Sequence, residues 1–209
     1  MSLNPSEVST GIHQKLTTLF GTLIQAHNES CQGLQTWNAD LLRKVENTLK
    51  ESEQLVAVID REAAEQLSRY PAGEKPWNHH LALVKITPEL LRIASSAKEC
   101  ARLRLTLLEE GWAAIPFADE ILDIHSQAID AMNRAQSLVD SSEKPEASRQ
   151  ELMRICESAE EQIETLYEKM LQNTERNEAM EIHLKRMFNC IRNLERTLQG
   201  TRQIGMLHQ

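Results

Sequence analysis

Apolar residues recur every three or four positions along most of the chain, the period of a helix with one buried face. Ile12, Leu16, Leu19, Phe20, Leu23 and Ile24 form the first such stripe. It predicts a helix starting near Pro5, with Asn4 as cap, proline at the first helical position and Glu7 in the first turn. "TWNAD" at 36–40 reads as a break. A second helix, predicted from there to about Tyr70, carries Leu42, Val45, Leu49, Leu55, Val56, Ile59, Ala63 and Leu67. "YPAGEKP", with Pro71, Gly73 and Pro76, is a turn. A third helix spans about 77–110 with Leu83, Ile86, Leu90, Ile93, Ala97 and Ala101, and Pro88 inside it is a candidate kink. After "EGWAAIPFADE" the pattern resumes in three more helices, at about 117–139, 147–172 and 176–205, separated by "DSSEKPEAS" and "NTERNE".

The last three stripes repeat the first three at an offset of 104 residues. Phe20 aligns with Ile124, Ile24 with Ala128 and Leu34 with Leu138. Ile59 aligns with Ile163, Leu83 with Met187, Ile86 with Cys190, Leu90 with Leu194 and Arg92 with Arg196. A constant offset across three helices and their breaks is the mark of a duplicated unit. The expected fold is therefore all-α: six long helices forming two tandem three-helix-bundle repeats, 1–110 and 111–209, packed as one elongated domain. A helix of about thirty residues is ~45 Å long.

Composition sharpens this reading. The 209 residues include only seven Gly and six Pro, and no Gly lies between Gly111 and Gly200. Strands need more frequent turns than that. The net charge is −8 with no basic stripe, which argues against nucleic acid as a partner. The four cysteines, Cys31, Cys100, Cys156 and Cys190, form no CxxC pair and read as reduced thiols in helices, in a cytosolic compartment. No apolar run approaches the ~18 residues of a membrane span. "MSLNPSEVST" lacks the features of a signal peptide. The chain reads as soluble, or as the soluble part of a larger membrane protein.

Two stretches in register with the repeat carry a further signal: "LVKITPELLRIASSAKECA" at 83–101 and "MFNCIRNLERTLQGTRQIG" at 187–205. Both resemble the signature helix of the PhoU family, through Lys85, Ile86, Leu90, Arg92, Ile93 and Ala97 in one copy and Arg192, Asn193, Leu194, Glu195 and Arg196 in the other. The resemblance covers nearly the whole chain and implies the same two three-helix repeats. It also implies Glu-x-x-x-Asp on each signature helix, two carboxylates on one face that bridge cations. Here those positions are Leu91 and Ser95, then Glu195 and Gln199, so one of four carboxylates is present. Glu195 alone supplies one or two oxygens where a metal cluster needs several. The expectation is no metal and no cofactor, with Glu195 a solvated acid beside Arg192, Arg196 and Arg202.

Other acids and histidines offer weaker candidates. Asp119 and Asp123 are spaced i, i+4 and could hold a cation, but acids in a first helical turn are also stabilised by the helix dipole. Glu157, Glu160, Glu161, Glu164 and Glu168 form an acidic ladder, a solvated face or a surface for a basic partner. The adjacent His79 and His80 point in different directions on a helix, and Glu178 and His183 do not have di-iron spacing. No phosphate loop, nucleophile motif or zinc-protease motif is present. The expected function is that of a non-catalytic PhoU-like module regulating phosphate transport or phosphate signalling through protein–protein contacts. The resemblance implies a cytoplasmic setting, at the cytoplasmic face of the inner membrane when the partner is a phosphate transporter. The chain would be free-standing or the cytosolic tail of a fused sodium/phosphate cotransporter. A structural rod of spectrin-like three-helix repeats is the alternative, and a helical-bundle metalloenzyme ranks below it. A homodimer is expected, with Trp77 and Trp112 as candidate anchors at a bundle end.

Overall fold

The computed structural model describes residues 5–111, 117–140, 145–172 and 178–207, and every element among them is an α-helix. The Asn4 cap, the link at 112–116 with Trp112 and Pro116, residues 141–144 and the turn at 173–177 lie outside the described residues. The helices are α1 Pro5–Gln35, α2 Ala39–Thr48, α3 Ser52–Leu67, α4 Lys75–Glu109, α5 Ala118–Asp140, α6 Pro145–Gln172 and α7 Glu178–Leu207. None of these is long and apolar enough to cross a membrane.

The expected all-α architecture is present, with one refinement: the second helix is broken into α2 and α3. At the break, Lys50 N–H donates to Asn47 O at 3.2 Å and Ser52 N–H to Leu49 O at 3.1 Å, so the ladder tightens to i→i+3 spacing. Thr48 Oγ1 donates to Glu29 Oε2 of α1 at 2.7 Å, and Ser52 Oγ to Leu49 O. Polar side chains thus take over where the helical ladder stops. The α1–α2 turn is as the sequence predicts. Asn38 N–H donates to Gly33 O and Trp37 N–H to Leu34 O, a Schellman closure with Trp37 in the left-handed region at φ 53°. Asn38 then caps α2 through its side-chain oxygen.

Helix α4 continues through Pro88. Proline leaves the carbonyl four residues back without its donor, and Thr87 Oγ1 lies 3.0 Å from that oxygen, Val84 O.

Helices α1, α2, α3 and α4 pack together, and so do α5, α6 and α7. The two groups join through α1 on α5 and α4 on α7. Both junctions are antiparallel. On α1 and α5, Thr17 meets Asp140 and His27 meets His125. On α4 and α7, Glu110 meets Arg186, Cys100 meets Cys190, and Glu89 and Ile93 face Gly200. The halves therefore lie side by side, unlike the end-to-end repeats of a spectrin-type rod. Combined with the 104-residue offset, this register brings position 94 nearest its equivalent 198. A pseudo-twofold axis crosses the α4–α7 junction there.

Candidate functional site

The α4–α7 junction carries the two signature-like stretches. Its buried side is lined by small residues, among them Ala94, Ala97, Ala101, Thr197, Gly200 and Thr201. A Cβ at Gly200 would stand 3.3 Å from Ile93 Cγ1 and 3.4 Å from Glu89 Oε2, so the helices approach closely because this position lacks one.

The outer side is a groove lined by Arg92, Ser95, Ser96, Glu99, Asn193, Arg196 and Gln199. Two equivalent pairs, Arg92 with Arg196 and Ser95 with Gln199, flank the pseudo-twofold axis. Arg92 lies 3.4 Å from Glu89 Oε2. Arg196 is exposed and makes no ion pair among the described residues. Glu99 is tied to Arg102 by two hydrogen bonds, which hold its carboxyl below the usual range.

The residues at the implied metal positions do not fit a metal cluster. Leu91 packs against the core, Ser95 is exposed, and Gln199 turns its amide nitrogen to Glu195 Oε1 at 3.3 Å. Gln199 thus presents a hydrogen-bond donor where a second carboxylate would be. Among the described residues, no three His, Cys, Asp or Glu side chains are grouped to hold a metal. With two arginines, neutral polar side chains and a Glu99 already engaged by Arg102, the groove suits an anionic or hydrogen-bonding surface rather than a hard cation.

The remaining sequence candidates lie apart from this groove. Asp119 and Asp123 are exposed on α5, with Lys169 reaching Glu120 between them at 3.5 Å. In the acidic ladder, Glu157 and Glu160 are engaged by Arg202 of α7, while Glu161, Glu164 and Glu168 face solvent. His80 is buried and stacked on Tyr70. His183 Nδ1 is 3.6 Å from Glu110 Oε2.

Behind the groove lies a polar cluster. Arg104 of α4 is 1% exposed, the largest fully buried side chain among the described residues. Its Nη1 donates to Ser30 O at 3.0 Å, Ser30 Oγ at 3.1 Å and His125 Nδ1 at 2.7 Å. Guanidinium only donates, so His125 Nδ1 accepts. His125 is neutral, because burial and the Arg104 charge hold its pKa far below the ordinary value. Its proton therefore sits on Nε2, which donates to His27 Nδ1 at 2.9 Å. Burial and Arg104 lower the His27 pKa to about 4, with the Ile93 backbone acting the other way. The second proton is then on His27 Nε2. Donor direction runs one way, from Arg104 of the first half through His125 of the second and back to His27 of the first.

Among the described residues no carboxylate pairs with Arg104. Besides the two neutral histidines, the ionisable groups acting on it are three thiols, Cys190, Cys100 and Cys31. Cys100 Sγ and Cys190 Sγ are 3.9 Å apart, at 0% and 2% exposure. The hydrogen bond between them and the Arg104 charge hold the Cys190 thiol below its ordinary pKa, while the same hydrogen bond and burial push Cys100 well above it. Burial raises Cys31, and raises Cys156 to about 12. The sequence motifs did not single out Arg104 or His27, and His125 stood out only as a neighbour of Asp119 and Asp123. The available signal was a charged or polar residue on an apolar stripe: Arg104 continues Ile93, Ala97 and Ala101, and His27 continues Phe20 and Leu23.

Solved structures similar to this chain include two of PhoU type. PhoU from Pseudomonas aeruginosa matches with a TM-score of 0.88 at 19% identity, over 98% of this chain and 97% of that one. A PhoU-like phosphate regulatory protein from Shewanella oneidensis MR-1 matches with a TM-score of 0.67 at 13% identity, over 94% and 96% of the two chains. No protein-family model and no curated protein matches the sequence. The chain has the PhoU fold, as the two signature-like stretches imply.

Proposed function

We propose that the chain belongs to the PhoU family and is a non-catalytic regulatory module of phosphate transport or phosphate signalling. The observation that carries this reading is the match to PhoU across 98% of the chain. It acts by contact with a transporter or signalling protein at the cytoplasmic face of the membrane, as a free-standing chain or as the tail of a fused sodium/phosphate cotransporter. The α4–α7 groove supports a contact mechanism that does not depend on metal. Two arginines flank its axis, Arg196 has no ion pair among the described residues, and the carboxylates that would gather cations are reduced to Glu195. An acidic or hydrogen-bonding segment of the partner fits there.

The test is removal of the gene from its source cells, with phosphate uptake and a phosphate-starvation reporter measured in replete and depleted media. The expected result is uptake or reporter activity that no longer follows external phosphate. Wild-type chain restores control, and a folded Arg92→Glu/Arg196→Glu chain restores it poorly. Uptake and reporter responses unchanged by the deletion would refute the reading.

A further inference from the structure

We propose that Cys100 and Cys190 are a two-electron redox pair, whose disulfide staples α4 to α7 across the junction of the two halves. The inference rests on geometry inside the molecule and not on the proposed partner. The two sulfurs are 3.9 Å apart, in van der Waals contact, on antiparallel helices that the small residues around Gly200 hold close. Bond formation needs the sulfurs to approach to about 2.05 Å. Cys100 Sγ also lies 3.5 Å from Cys190 O, so the Cys100 side chain is already turned towards the partner helix.

The cluster supplies the asymmetry that thiol oxidation requires. A buried guanidinium without a carboxylate partner favours an anion beside it, and the adjacent acidic groups are thiols. Arg104 Nη1 donates to Ser30 and His125, while Nε and Nη2 have no hydrogen-bond partner among the described residues. A thiolate on Cys190 compensates that charge, and Cys100 remains the protonated member of the pair. The histidines are not alternative counter-ions, since both are held neutral. Neither is a metal cluster the better reading of these sulfurs and imidazoles, because a fixed guanidinium occupies their midst.

The oxidant is a small hydroperoxide. The Cys190 thiolate attacks one peroxide oxygen, the O–O bond breaks, and the leaving oxygen departs as water after taking a proton. Cys190 is then a sulfenic acid. Cys100 sulfur attacks the Cys190 sulfur, the S–O bond breaks, and the hydroxyl leaves as a second water with the Cys100 proton. Two thiols have lost two electrons and two protons, and one hydrogen peroxide has become two waters. The disulfide removes the thiolate beside Arg104 and fixes α4 against α7 beneath the Arg92 and Arg196 groove. Oxidation state is thereby coupled to the shape of that groove.

The experiment uses the reduced full chain, exposed to hydrogen peroxide at about one equivalent, then alkylated and mapped by mass spectrometry without reductant. A parallel sample is treated in urea. The expected native product is one dominant linked peptide joining Cys100 and Cys190, 2 Da lighter than its two parts and reversed by dithiothreitol. The urea sample should give mixed pairings that include Cys31 and Cys156. The Cys31→Ser and Cys156→Ser chains keep the native product, and Cys100→Ser leaves a dimedone-reactive sulfenic acid on Cys190. The primary comparison uses wild-type chain, so it survives any failure of a variant to fold. Oxidation of native protein confined to Cys31, or the same pairings in native and urea samples, would overturn the proposal.

Discussion

Lowering the pH from 7 to 5 should destabilise this protein before its carboxylates titrate. His27 and His125 are wholly buried and their folded pKa values lie below the ordinary 6.5, that of His27 at about 4. Each is held towards the neutral form in the fold, whereas each takes up a second ring proton in the unfolded chain as pH falls to 5. A lowered histidine pKa therefore leaves stability intact above 6.5 and removes it as pH falls from 6.5 towards the folded value. Between pH 7 and pH 5 an unfolded histidine of pKa 6.5 gains about 1.4 pK units of protonation free energy, or ~1.9 kcal/mol at 1.36 kcal/mol per unit. His27, with its folded value at about 4, loses ~1.9 kcal/mol in this window, and His125, held well below 6.5 by burial and Arg104, adds a loss in the same direction. For a chain of this length the His27 loss alone lowers Tm by roughly 4–8 °C.

His79 and His80 are also lowered, by burial, and act in the same direction. Cys190 does too: its folded pKa is depressed, so its contribution is lost as pH falls through that folded value. Glu29, Glu99, Glu110 and Glu151 have folded values below 4.5, and their contributions disappear only at lower pH. The assay is equilibrium urea unfolding, followed by far-ultraviolet circular dichroism at pH 7 and pH 5 and constant ionic strength. Wild-type and Cys190→Ser chains are compared to remove the thiol. A loss below ~1 kcal/mol in both, or a gain on acidification, would refute the assignment of two neutral buried imidazoles.

Other perturbations test the junction, the lost ligand set and the association state. Gly200→Leu should cost ~1–3 kcal/mol by forcing apart Ile93, Glu89 and α7, read by thermal melting; unchanged stability would contradict the close approach of α4 and α7. Glu195→Gln should alter stability by less than ~0.5 kcal/mol, and dialysed wild-type chain should hold well under one equivalent of iron or zinc by elemental analysis. Several tightly held metals would show that acids outside the implied positions have assembled a site. Sedimentation equilibrium at micromolar concentration should give twice the 23.8 kDa chain mass. Trp37, Leu171 and Ile182 are exposed apolar side chains at one end of the bundle, the end from which the Trp112 link leaves, so substitutions there should weaken the dimer.

The helices were legible because each ends at a residue type with a backbone reason to end there. "TWNAD" supplies the Asn38 cap, and "YPAGEKP" supplies Pro71, Gly73 and Pro76. The α2–α3 break was not legible. Leu49, Leu55 and Val56 keep the apolar stripe running, and no Gly or Pro marks the interruption, which side chains of Thr48 and Ser52 make possible. Trp77, expected at a bundle end, lies half-buried at the start of α4, and Trp112 lies outside the described residues. At the groove, the missing carboxylates could be read from four letters, but its arginine-flanked axis depends on the register of α4 against α7. The buried cluster depends on register still more, since Ser30, Arg104, His125 and Cys190 meet only after four helices have packed.

That cluster also bears on how a duplicated chain recognises itself. The positions equivalent to His27 and His125 under the 104-residue offset are Ala131 and Gly21, and the position equivalent to Cys190 is Ile86. The apolar faces of the two halves are alike enough that a first half could dock on another first half. Such a pairing would set Arg104 opposite Gly21, with no imidazole to accept from its guanidinium and no thiolate nearby. A buried charge left in that state costs several kcal/mol. The polar cluster therefore works as a lock with one key. It makes the correct partner of a first half a second half, and it guards a symmetric-looking scaffold against pairing two first halves.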